Sequence, residues 1–347
     1  AAMDPLCDTP GAPGFWLVSA VSSLSKVPFM FVVREALVSD LPDIGRLAAI
    51  FDTVNLPDDA AVLAEVVAAS RRAFAEKDEP MAREYLFVVE DLKKKRVVGT
   101  SMIIAQHGTK ESPHLFFDVL EEERYSATLG KHFKHPVLRL GANYDGPTEI
   151  GGLILLPEYR KNDAQLGKQL SYVRFLFMAM HPERFRPLVI SELLPPLEED
   201  GKSQLWEHLG RKFTDLSYQE ADRISKGNKE FIRALFPASA IYASLFPKAV
   251  QKMIGKVGPA TKGVEKMLKR IGFRYSNRID PFDGGPHYEA RLRGIRLVSA
   301  TRACTLTIED VPGDADGVQV GMVGRESQGK VHFRAARTIF KREGKQL

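Results

Sequence analysis

The chain has 347 residues, 44% hydrophobic and 27% charged, which fits a folded protein of about two domains and excludes a mainly disordered one. Forty-nine Lys and Arg against 44 Asp and Glu leave +5, a scattered excess that by itself selects neither an anionic small ligand nor a nucleic acid. With no aromatic-basic stripe no nucleic-acid partner is expected, and with no apolar stretch of ~18 residues no membrane span is expected.

Two distant cysteines, Cys7 and Cys304, make neither a disulfide framework nor a zinc pattern, so no metal is expected and a reducing cytoplasm is the simplest setting. The apolar run at 15–21 has no basic region before it and does not read as a signal peptide. Regular patterning starts at Met30, and residues 1–30 are expected to be a poorly ordered extension outside the fold.

From there the elements follow in order. Phe31, Val32, Val33 and Arg34 form a strand. Ser39 or Asp40 then caps a helix with apolar positions Leu41, Ile44, Leu47, Ala48 and Phe51, a 3.6-residue period. A second amphipathic helix covers 58–76, and strands at 85–89 and 97–104 make a hairpin about the charged turn 93–96. Residues 107–146 carry no readable period. The run at 150–156 is almost continuously apolar, as in a strand covered on both faces; Pro157 ends it and a long helix follows from about 164 to 180. A strand at 188–190 precedes a helical stretch, 198–271, inserted before a new strand at Gly272 and a turn-rich loop at 281–286. After Leu297 the pattern becomes short β runs, expected as a small β-rich module at 298–347 beside a main domain at 31–297.

The order strand, two helices, antiparallel strands, apolar strand, loop, long helix, strand is that of the GNAT acyltransferase fold, an α/β fold with a mixed central sheet flanked by helices. The turn Arg160-Lys161-Asn162-Asp163-Ala164-Gln165-Leu166-Gly167 joins the apolar strand to the long helix. Backbone N–H groups at a helix start, two cations and a glycine that lets a ligand approach suit a pyrophosphate such as that of coenzyme A.

Longer strings point further. They include Val173-Arg174-Phe175-Leu176-Phe177-Met178-Ala179, Leu205-Trp206-Glu207-His208-Leu209-Gly210-Arg211-Lys212-Phe213, Phe231-Ile232, Phe236-Pro237 and Ile241-Tyr242. The most specific runs from Gly272-Phe273-Arg274-Tyr275 to Ile279-Asp280-Pro281-Phe282-Asp283-Gly284-Gly285-Pro286. In these the chain resembles the arginine N-succinyltransferase family, from about Phe31 to Val298. The resemblance implies transfer of succinyl from succinyl-CoA, a cosubstrate and not a tightly bound cofactor, to the α-amine of arginine or ornithine in cytoplasmic arginine catabolism. A homo- or hetero-oligomer is a further expectation, through an exposed strand edge near 112–140 or the C-terminal module. Leu153 matches the family's succinyl-CoA-binding leucine, whose backbone would pair with the pantetheine arm. Two departures stand out. The phosphate loop is about two residues longer and lacks the family's first loop glycine. Gly258, in Val257-Gly258-Pro259, stands where the family has its proton-donating histidine, and putting histidine there is expected to raise the rate. Another amine, or a non-catalytic CoA-binding subunit, is the alternative.

Acyl transfer needs a deprotonated amine, donors for the oxyanion and a proton for the leaving thiolate. Glu149, just before the apolar strand, and His287, after the Asp-Gly-Gly-Pro loop, are the expected acid–base candidates; Ser171 and Tyr172 are candidates for the thiol side. Leu153, Arg160, Lys161 and Gly167 are expected to bind CoA. Glu192, Asp280 and Asp283 are expected to bind the cationic substrate, since paired carboxylates suit arginine's fork of donors. His208, among Trp206 and Leu209, reads as a packing residue.

Overall fold

The computed structural model describes residues 15–19, 30–51, 56–161, 163–198, 201–225, 228–304 and 318–341; Cys7 lies outside them. The chain opens with β1 (Phe15–Ser19) and β2 (Phe31–Glu35). Asp40 does not cap the first helix. Its carboxylate accepts from the Arg34 guanidinium at 2.6 and 2.9 Å and from the Leu37 amide at 2.8 Å, because a buried arginine is the stronger claimant. Helix α1 (Leu41–Phe51) follows, and α2 (Ala60–Phe74) starts at Asp59, whose carboxylate accepts from the Ala61 and Val62 amides. The hairpin of β3 (Glu84–Asp91) and β4 (Arg96–Ile104) is as expected. Residues 107–146, which gave no period, form a long antiparallel pair, β5 (His114–Ser126) and β6 (Lys131–Asn143), in register from His114↔Asn143 to Ser126↔Lys131.

Next come β7 (Thr148–Leu155), α3 (Leu166–Met180) and β8 (Leu188–Glu192). The helical stretch breaks into α4 (Gln204–His208), α5 (Gly210–Thr214), α6 (Tyr218–Ser225), α7 (Glu230–Leu235), the short β9 (Ile241–Tyr242), α8 (Lys248–Met253) and α9 (Lys262–Ile271). The chain continues through β10 (Arg274–Ile279), β11 (Pro286–Arg291), α10 (Arg296–Ala300), β12 (Arg302–Cys304), β13 (Val318–Glu326) and β14 (Phe333–Lys341).

The chain divides into two compact units. The first comprises residues up to 105, 148–187 and those from 291 on, with strand order β12-β1-β13-β14-β2-β3-β4-β7. The C-terminal strands, expected as a separate module, thus share the sheet of β2: β14 pairs with it at Arg334↔Arg34 and Ala335↔Val33. Local patterning identifies such strands but not their partner, which here lies some 300 residues upstream. Phe74, Tyr85, Phe87, Phe177 and Phe333 meet as an aromatic core between α2, α3 and the sheet.

The second unit comprises 106–147 and 188–290, with strand order β8-β11-β10-β5-β6-β9. Its core is Trp206, stacked on Phe282 at 5.1 Å, with Phe236, Phe117 and Leu138 packed around them. The indole N–H donates to the Leu216 carbonyl, which is why a buried Trp is tolerated there.

Candidate active-site residues

In the first unit the strand β7 is not regular. Its pairing with β4 slips between Thr100↔Ile154 and Met102↔Gly151, and Gly152 takes φ +56° at the slip. The Thr100 hydroxyl donates to the Gly152 carbonyl at 2.9 Å. This bulge turns the backbone of Gly152 and Leu153 out of the ladder while Gly151 stays paired with Met102, and all three are half-buried. Leu153 therefore lies at the one place in β7 where backbone polar groups leave β4. Glu149, two residues before Gly151, faces Ile104 across the ladder and is 6% exposed, a buried carboxylate and not a strand-edge one.

After β7, Arg160 reaches back to donate to the Leu155 carbonyl at 3.1 Å, while Lys161 is exposed. Gln165 enters α3 in the left-handed region, φ 53°, so the first amides of the helix leave the loop as a group. A Cβ on Gly167 would meet no protein atom within 4 Å, which leaves open space beside the helix start. Arg337 of β14, buried, donates to the Asp163 carbonyl in the same loop, and its Nη2 has no partner. No sequence signal pointed to Arg337, because it lies 174 residues from the loop. Ser171 is wholly buried and its hydroxyl accepts from Arg174 at 2.8 Å; Tyr172 is half-buried.

In the second unit three imidazoles gather on one carboxylate. His114 Nε2 lies 3.0 Å and His287 Nε2 3.3 Å from Glu192 Oε1. The His114 and His287 rings stack at 5.3 Å, and the His107 ring meets His114 edge-on at 4.5 Å. His114 and His287 are 2% and 1% exposed, while the Glu192 side chain keeps 28%. The Asn143 amide lies 3.4 Å from His114 Nδ1; donating there, it leaves the Nε2 proton for Glu192. Burial opposes the ionised form of Glu192, but His287, His114 and His107 outweigh it and hold the carboxyl well below the usual range. The donor atoms of His107, His114 and Glu192 lie within 4.8 Å of one another, a set whose chemistry also suits a zinc-type cation. Glu192 and His287 were expected as site residues. His107 and His114 were not, since they come from the stretch with no period.

Asp280 and Asp283 shape the loop between β10 and β11. Asp280 Oδ1 accepts from the Phe282 and Asp283 amides at 2.7 and 3.1 Å, and Asp283 Oδ1 from Gly285 at 2.7 Å. Burial first, then the Glu192 charge, pushes Asp280 up to about 7 despite Lys229. Burial and the neighbouring Asp280 push Asp283 well above its ordinary value, and the same carboxylates add to burial in raising the Tyr218 hydroxyl. The loop is thus overcharged with carboxylate for its cations, the condition a cationic ligand relieves. His208 Nδ1 donates to the Gln204 carbonyl of its own helix at 2.9 Å, and the residue is half-buried.

Gly258 has no room for the expected histidine. Its amide donates to the Leu194 carbonyl at 2.8 Å, and a Cβ there would overlap the Pro195 carbonyl oxygen and lie 2.7 Å from its carbon.

A bulged strand leading through a cationic turn to a helix start, within sheets flanked by helices, is the GNAT-like acyltransferase arrangement. The comparisons narrow it. Residues 31–297 match the family described as arginine N-succinyltransferase beta subunit. The arginine N-succinyltransferase subunit alpha of Pseudomonas aeruginosa is 36% identical over 290 residues, 82% of this chain and 84% of that protein. The arginine N-succinyltransferase of Yersinia pestis is 33% identical over 284 residues, 81% of this chain and 80% of that one. The solved structure of arginine/ornithine succinyltransferase subunit AI from Pseudomonas aeruginosa aligns with a TM-score of 0.75 at 33% identity, covering 89% of each chain. The chain belongs to the arginine N-succinyltransferase family.

Proposed function

We propose that this chain is an arginine N-succinyltransferase that moves succinyl from succinyl-CoA to the α-amine of L-arginine in arginine catabolism, in the cytoplasm. The observation that carries the reading is the family match over residues 31–297, together with a solved relative aligned over 89% of the chain. The candidate residues form two groups. In the first, the bulged backbone at Leu153 would pair with pantetheine, and the α3 start with Arg160, Lys161, Gly167 and Arg337 would hold the phosphates. In the second, Asp280 and Asp283 would take the cationic groups of arginine. His287, held by Glu192, would accept the α-ammonium proton. The freed amine attacks the thioester carbonyl, a C–N bond forms, the C–S bond breaks, and the departing thiolate takes the proton that the nitrogen loses on becoming an amide, giving free CoA. Glu149 is the second candidate base.

A non-catalytic CoA-binding subunit is the other reading, and Gly258 favours it, because the family's donor has no side chain here. Thermal-shift titration with succinyl-CoA, then a product assay with arginine and ornithine, separates the two. Succinyl-CoA should raise Tm, and product should form with arginine. His287→Ala should lower kcat by roughly 10²–10⁴-fold, while Glu149→Gln tests the alternative base. The KM for arginine should fall as pH rises through about 7, since an ionised Asp280 is the form a cation binds. Binding of succinyl-CoA with no product from either amine would replace the enzyme reading by the binding one.

A further inference from the structure

Arg174 sits in the middle of α3, 2% exposed, on a helix whose residues are mostly buried. Of the other buried arginines of this unit, Arg34 is paired with Asp40 and Glu90 and Arg184 with Glu76, while Arg83 and Arg337 donate to backbone carbonyls. Among the described residues no carboxylate pairs with Arg174. Its guanidinium has Nε 3.3 Å from the Ser171 carbonyl, Nη2 2.8 Å from the Ser171 hydroxyl and Nη1 3.4 Å from the Gly151 carbonyl. A guanidinium carries five N–H donors, so two have no acceptor. Burial with no anion to offset it pulls the group down to about 9, which still leaves it charged at neutral pH. A buried cation held by neutral oxygens and an aromatic face, its Cζ lying 5.9 Å from the Phe175 ring centroid, is costly, and replacing such a charge by an apolar residue of similar size is often neutral or stabilising. Stability alone therefore gives no reason for an arginine here.

Its position gives one. The turn at Arg160 is tied to Leu155, at one end of β7, and Arg174 is tied to Gly151, four residues back along the strand. The helix runs from the same turn, and Arg174 is seven residues past Gly167, roughly 10 Å along the axis. A CoA with its phosphates at the turn and its arm along the bulged backbone points its acyl end toward Gly151 and Gly152. These two positions carry no side chain of their own.

We propose that Arg174 receives the free carboxylate of a dicarboxylic acyl group, and so selects succinyl-CoA over acyl-CoAs of the same length without that charge. The two unfilled N–H groups would grip the carboxylate as a bidentate fork. The inference rests on the chain binding acyl-CoA as proposed above.

Butyryl-CoA, with a methyl where succinyl-CoA has its carboxylate, is the matched probe. Binding by calorimetry and, where product forms, kcat/KM should be measured for both donors in the full chain and in Arg174→Gln, Arg174→Met and Arg174→Lys. Removing a charge-assisted pair should weaken succinyl-CoA about 10–100-fold. Butyryl-CoA should be unchanged, and Arg174→Lys should recover part of the preference. Arg174→Met should keep Tm near wild type, so that any loss of succinyl-CoA binding is read in a folded chain. Equal losses for both donors, or a succinyl preference that survives in the folded Met and Gln variants, would overturn the assignment. A wild-type chain that binds neither donor would instead overturn the acyl-CoA reading itself, and the role of Arg174 with it.

Discussion

At position 258 the backbone is ordinary, φ −69° and ψ 159°, so glycine is there for space and not for conformation. The loop carrying Gly258 is strapped to the chain after β8 by two bonds to the Leu194 carbonyl, from the Gly258 amide and the Thr261 hydroxyl. Any β-carbon must push that strap away. Gly258→Ala and Gly258→His should therefore both lower stability, by roughly 1–3 kcal/mol of overpacking, with no gain in kcat. Paired urea midpoints and product assays would check this; a histidine variant as stable as wild type and faster would reverse it. The sequence alone showed a missing histidine but not the Pro195 carbonyl that excludes it. The turn role of Asp283, by contrast, was legible: the Asp-Gly-Gly string marks a turn, and the turn's own amides fix the Asp280 and Asp283 carboxylates.

Among the elements, the β7–turn–α3 segment was readable because every signal in it is local: an apolar run, a proline, two cations, a glycine and a helix period. The bulge at Gly152 was not readable, since it exists only relative to β4. The imidazole cluster was also hidden. Its members come from the segment before β5, from β5, from β8 and from β11, and no spacing along the chain relates them. Helix α3 offers a direct test of the phosphate assignment. Because a Cβ at Gly167 meets nothing within 4 Å, Gly167→Val should fold with a Tm near wild type. The same branched side chain would stand where the pyrophosphate must approach the amides, so CoA affinity should fall about tenfold or more, about 1.4 kcal/mol. Calorimetry with free CoA reads this without turnover. Unchanged affinity in the folded variant would remove the turn from the CoA site.

At the scale of the whole molecule, the first unit's sheet joins both ends of the chain. β1 pairs with β12 at Phe15↔Cys304, Trp16↔Ala303 and Leu17↔Arg302, and with β13 from Phe15↔Arg325 to Ser19↔Gly321. It is therefore an interior strand of that sheet, although it lies in the segment that the sequence placed outside the fold. The reason it was missed is physical. Five residues of strand bounded by Gly, Pro and Ser carry little intrinsic signal, and the partners that stabilise them come from the far end of the chain. Deleting residues 1–29 should thus expose the facing edges of β12 and β13 and remove a strand with ladder bonds on both sides. Truncation is expected to lower Tm by about 2–4 °C for each kcal/mol lost, with a loss of several kcal/mol. Succinyl-CoA binding should persist in the truncated chain below its new Tm, because β7 is at the other end of the strand order, although α3 packs against β1 and β13. A differential scan of the full and truncated chains, with and without succinyl-CoA, measures both effects. An unchanged Tm would mean that β1 contributes nothing to the sheet it sits in, and the pairing with β12 and β13 would have to be given up.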